Sequence, residues 1–147
     1  MNKNLLKKYK LKFLKSKDTF EHFIMNEAVV LSYSIKFESK IIDFGLFNKV
    51  LYKIIETNNS HLSTYLNEFE FTAEQLDEEV LPIINAAIAF PNVEQELDSV
   101  TYGALLVNNI IDLYYDGRGV VFSLPIKDLK EILEGFREYL NKPPFSA

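Results

Sequence analysis

Apolar residues recur at three- and four-residue intervals along most of this chain, the spacing that puts side chains on one face of a helix. After Asp18, the series Phe20, Phe23, Ile24, Ala28, Leu31 and Ile35 holds that phase, and Asp18 with Glu21 forms a capping-box pattern, so a helix is predicted over 18–37. Phe47, Val50, Leu51 and Ile54 predict a second helix after Asp43, stopped by the polar run TNNS at 57–60. Ser60 is the expected cap of a short helix carrying Leu62, Tyr65, Leu66 and Phe69.

Thr72 and Gln75 form another start box, and Leu76, Val80, Ile83, Ile84, Ala87 and Ile88 continue the stripe through the uncharged run LPIINAAIAF. Alanine favours a helix over a strand here. Pro82 removes an amide donor, so it should kink this helix or sit in the first turn of a new one starting near Glu78, and Pro91 should end it. Asn85, inside this apolar helix, is expected to be mostly buried and to bond Asn108, Asn109 or a tyrosine hydroxyl. A fifth helix is predicted after Ser99 or Thr101, with Tyr102, Leu105, Leu106, Asn109 and Leu113 in phase and the turn DGRG at 116–119 closing it. VVFSL at 120–124 is short and β-branched and suits an extended segment. Pro125 then suits a first helical position before the stripe Ile126, Leu129, Ile132, Leu133, Phe136 and Leu140, with Pro143 and Pro144 as the stop.

Few glycines and scarce turn pairs argue against a sandwich or barrel. The expectation is therefore all-α: one domain over 1–147, a bundle of six or seven helices, with 1–17 a lysine-rich amino-terminal helix or arm. At 147 residues and 48% hydrophobic content the chain is long and apolar enough to build one core without crosslinks. The zero cysteine count removes disulfides and thiolate chemistry and fits a cytoplasmic setting. No apolar run approaches the length of a membrane span, and the amino terminus is too densely interrupted by lysine for a secretory signal.

Charge changes the picture more than composition does. Residues 1–17 hold seven lysines and no acid, whereas residues 54–117 hold twelve acids and no lysine or arginine. An ordinary solvated face mixes both signs, so a one-signed stretch points to a basic partner. The densest acidic cluster is Glu68, Glu70, Glu74, Asp77, Glu78 and Glu79, and Tyr65, Phe69 and Phe71 are interleaved as candidate aromatic anchors. The lysine segment either docks on the chain's own acidic middle or, as a basic amphipathic helix, meets a membrane surface or nucleic acid. Nucleic acid is disfavoured because the large acidic surface would repel phosphate.

The sequence offers no catalytic constellation. There is no G-x-S-x-G elbow, phosphate loop or dinucleotide fingerprint. His22 and His61 sit in polar or helix-start contexts, and the residues three before them, Thr19 and Asn58, do not make the E-x-x-H pairs of a di-iron bundle. Glu94, Glu96 and Asp98 alternate as in a calcium loop, yet the twelfth position is Leu105 instead of a closing glutamate. No metal and no cofactor are expected.

The segments DFGLFNKVLYKIIE (43–56) and LPIINAAIAF (81–90), within a likeness covering roughly 20–115, resemble the YjaG-like bacterial family of unknown function. That resemblance implies an all-helical fold and carries no activity. The expected function is a non-enzymatic binding module, most concretely a bacterial immunity-type protein covering a basic toxin or effector. The alternatives are a small-ligand-binding protein or enzyme with carboxylates in a bundle pocket, and a structural homo-oligomer.

Overall fold

A computed structural model describes residues 26–43 and 49–142, and they build a mixed α/β fold, not an all-α bundle. In chain order the elements are α1 (Glu27–Tyr33), β1 (Lys36–Asp43), β2 (Lys49–Glu56), α2 (Ser60–Glu68), α3 (Ala73–Gln75), a π-helical turn (Leu76–Val80), α4 (Leu81–Ala89), β3 (Gln95–Glu96), β4 (Tyr102–Val107), β5 (Ile110–Tyr115), β6 (Val120–Pro125) and α5 (Ile126–Leu140). The strands form an antiparallel hairpin, β1–β2, and an antiparallel sheet in the order β3-β4-β5-β6.

Three of the predicted helices are overturned in whole or part. The first, placed over 18–37, keeps only α1 among the described residues; its expected cap, Asp18, lies outside them, as do His22 and the lysine segment. Asn26 caps α1 by accepting from the Ala28 amide at 3.0 Å, and Ser34 ends it in the left-handed region at φ 49°. The second, over 43–57, is strand β2, paired so that Phe37 lies opposite Ile55 and Lys36 opposite Glu56. A short run such as VLYKII satisfies both periods, and its β-branched and aromatic residues settle it as a strand, burying Ile55 where the helical stripe would have buried Ile54.

The fifth predicted helix is the β4–β5 hairpin. Burial alternates strictly along β4, with Tyr102, Ala104 and Leu106 inside, and Ile111 and Leu113 continue it on β5. Asn108 and Asn109, at φ 53° and 69°, make the two-residue turn between paired Val107 and Ile110. Both φ values are positive, as a type I′ hairpin turn demands, and asparagine tolerates them better than most residues. DGRG is a turn as expected, but it joins β5 to β6, with Asp116, Gly117 and Gly119 at positive φ. VVFSL is extended, within β6.

The remaining helices follow the pattern. Asn59, one residue before the expected Ser60, caps α2 by accepting from the Leu62 amide. Thr72 caps α3 through the Gln75 amide at 3.0 Å. Pro82 has no N–H for the Glu78 carbonyl, and the helix widens just before it: the Leu81 amide reaches the Leu76 carbonyl five residues back. Asn85 is exposed on α4, so the expected buried amide contact does not form, and Asn108 and Asn109 serve the hairpin turn instead.

The core lies between α5 and the other elements. Ile126, Leu129, Ile132, Leu133 and Phe136 are buried along one stripe of α5, and Phe136 stands 5.3 Å from the Phe37 ring and 6.5 Å from Phe71. Polar ties fix the layers: the Tyr33 hydroxyl donates to Asp128 at 2.7 Å, and the hydroxyls of buried Ser39 and Tyr139 share a hydrogen bond at 2.5 Å. Lys53, on β2, donates to the carbonyls of Tyr139 and Lys142 at 2.7 and 2.5 Å, satisfying backbone acceptors at the end of α5.

Candidate functional site

The acidic cluster singled out in the sequence divides into carboxylates tied into the fold and carboxylates without a partner among the described residues. Glu68, at the end of α2, accepts from the Ser99 hydroxyl at 2.6 Å and from the Thr101 amide and hydroxyl at 3.0 and 2.6 Å. Burial pushes its carboxyl up, but these three hydrogen bonds outweigh that and hold it below the ordinary glutamate range. It is therefore a clamp between α2 and the loop entering β4. Asp77 pairs with Arg137 of α5 through two hydrogen bonds, Nη2 to Oδ2 at 2.7 Å and Nε to Oδ1; those hydrogen bonds to the guanidinium lower its pKa. Glu70, Glu74, Glu78 and Glu79 are exposed and have no hydrogen-bond or ion-pair partner among the described residues. The helical phase explains the arrangement, since Leu76 and Val80 take the buried positions and turn the intervening carboxylates outward.

The expected aromatic anchors are not on that surface. Tyr65 is fully buried and its hydroxyl donates to the Leu97 carbonyl at 2.6 Å. Phe71 is 7% exposed and stacks on partly buried Phe69 at a centroid distance of 4.7 Å. Tyr65 shares the buried stripe of α2 with Leu62 and Leu66, and Phe71, beyond the end of that helix, packs on Phe136 of α5. Large exposed apolar residues lie elsewhere, among them Phe90 and Val93 after α4, and Ile110 and Val120 on the sheet.

Two other groupings bear on chemistry. An open cleft of about 650 Å³ is lined by Tyr52, Lys53, Asn67, Glu70, Phe71 and Leu140, among others. Its central polar groups are committed to the backbone: burial lowers the Lys53 pKa, with the ammonium on the carbonyls above, and the Asn67 amide bonds both the amide and carbonyl of Ile55 at 2.9 and 2.8 Å. At the start of α2, His61 Nδ1 is 2.8 Å from the Tyr102 hydroxyl, and Tyr115 packs on both rings with Arg118 over its face. Among the described residues, no group of three or more histidines and carboxylates is placed to hold a metal ion, and no helix is long and apolar enough to cross a membrane.

Sequence reasoning missed the four-stranded sheet, and with it the outward position of Glu96 and Asp112 on either side of Leu105. The available signal was the Asn-Asn pair between β-branched residues at 107–110. No family model, curated protein or solved structure matches the chain.

Proposed function

We propose that this chain is a non-enzymatic protein-binding module of the bacterial immunity type, which neutralises a basic toxin or effector in the cytoplasm by covering it with an acidic surface. One observation carries the reading. Glu74, Glu78 and Glu79 on one helical ridge, with Glu70 in the loop before it and Glu94 and Glu96 beyond α4, are exposed and uncompensated among the described residues, whereas Glu68 and Asp77 are tied into the fold. Structural carboxylates acquire partners within the chain. Those kept bare in one sign raise the local concentration and association rate of a positively charged partner.

The test is affinity capture from extract of the native cell with the wild-type chain and a Glu74→Lys/Glu78→Lys/Glu94→Lys/Glu96→Lys variant, washed at low and high salt. The reading expects a basic protein held by the wild type, released by salt and recovered poorly by the variant. Recovery of no basic protein, or equal recovery by both chains, overturns it.

A further inference from the structure

The four-stranded sheet has one face in the core and one outside. In an antiparallel sheet, directly opposed residues share a face. On the outer face the register aligns Glu96, Leu105, Asp112 and Ser123 in one row, Val107, Ile110 and Pro125 in a second, and Gly103, Tyr114 and Val120 in a third. None of these residues is buried, and Ile110 and Val120 are 38% and 50% exposed. The solvated face of such a sheet is ordinarily polar, yet this one is built around Leu105, Val107, Ile110, Tyr114 and Val120. Its charged members, Glu96 and Asp112, are both acids, Asp112 accepting from the Ser123 hydroxyl through one oxygen and Glu96 having no partner among the described residues, with no lysine or arginine in any row.

We propose that this face, more than the helical ridge, is where the basic partner docks: the apolar rows seat an apolar side chain of the partner while lysines or arginines beside it meet Glu96 and Asp112. The proposal rests on the binding-module reading and names its contact surface. Charge complementarity selects the occupant, because a second copy would bring the same two acids against themselves wherever the rows overlap, and an acidic partner would be repelled. The apolar rows supply burial, and the carboxylates supply orientation and rate.

The test uses the full chain, labelled for NMR, with a synthetic peptide of alternating lysine and leucine, and a glutamate–leucine peptide as control. The lysine peptide is expected to shift the amides of Leu105, Ile110, Asp112, Tyr114 and their neighbours. Its Kd should rise roughly tenfold in Ile110→Ser and in Glu96→Lys, and by only about threefold in Glu74→Lys/Glu78→Lys, whose charges act on the partner at longer range. Val120→Ser is the second probe of the apolar rows should Ile110→Ser lower the melting temperature. Shifts confined to residues 74–79 and abolished by the ridge variant overturn the sheet-face assignment and leave the binding-module reading standing. Equal shifts with the glutamate peptide overturn both. A doubled solution mass that Ile110→Ser restores to monomer overturns the choice of occupant, since the face would then hold a second copy.

Discussion

Replacing Asn109 separates the hairpin from the helix that the apolar spacing suggests, because the two structures give opposite signs. In the hairpin, Asn109 sits at φ 69° as the second residue of the two-residue turn. An ordinary L-residue there costs roughly 1–2 kcal/mol, less for asparagine, so Asn109→Ala should destabilise by about 1 kcal/mol. Asn109→Gly creates the preferred Asn-Gly turn and, after the entropy that glycine adds to the unfolded chain, should stabilise by about 0.5 kcal/mol. In a helix the order reverses, with alanine better than asparagine by roughly 0.5 kcal/mol and glycine worse by a few tenths. Urea unfolding at constant slope reads the difference: with a slope of about 2 kcal/mol/M, Asn109→Ala lowers the midpoint by about 0.5 M and Asn109→Gly raises it by about 0.25 M. A raised midpoint for alanine with a lowered one for glycine would refute the hairpin, and the outward sheet face with it.

Three further outcomes follow from the polar ties. Tyr65→Phe removes the hydroxyl that donates to the Leu97 carbonyl at 2.6 Å in the core and should cost about 1–3 kcal/mol in urea unfolding, with no effect on partner capture. Lys53→Met keeps the apolar stem but frees the carbonyls at the end of α5, and should lower stability by about 0.3–1 kcal/mol, with hydrogen exchange rising first in the last turn of that helix. Glu68 titrates below its ordinary value of 4.5 in the folded chain, so its stabilising contribution is present above that pH and is lost as pH falls through the lowered folded value; the stability gap between wild type and Glu68→Gln should therefore be full at pH 7 and close in acid, as followed by thermal melts across pH.

The helices that were legible in the sequence are those with caps and length. α5 is fifteen residues long with one apolar stripe along it, and α3 and α4 are announced by Thr72 and Pro82. The strands were illegible for a specific reason: VLYKII and YGALLV are short enough to fit a helical stripe, and only contact with the opposing strand turns alternate side chains inward. Asn109 falls in phase with that stripe, which masks the Asn-Asn pair at 108–109 as the local signal of reversal. The acidic character of the middle was legible in full, but its distribution was not. Nothing in the spacing distinguishes Glu68, held by Ser99 and Thr101 some thirty residues away, from Glu74, which has no described partner. The candidate anchors failed for the same reason: Tyr65 and Phe71 look like an aromatic patch until tertiary packing takes them into the core.

The most direct test of the central claim is the rate at which the captured basic partner associates with the full chain as ionic strength is raised. An acidic docking surface predicts an on-rate that falls about tenfold or more from low to high salt while dissociation changes little, and a shallower fall for Glu96→Lys. An on-rate indifferent to salt, or unaltered by reversing that charge, would contradict the account.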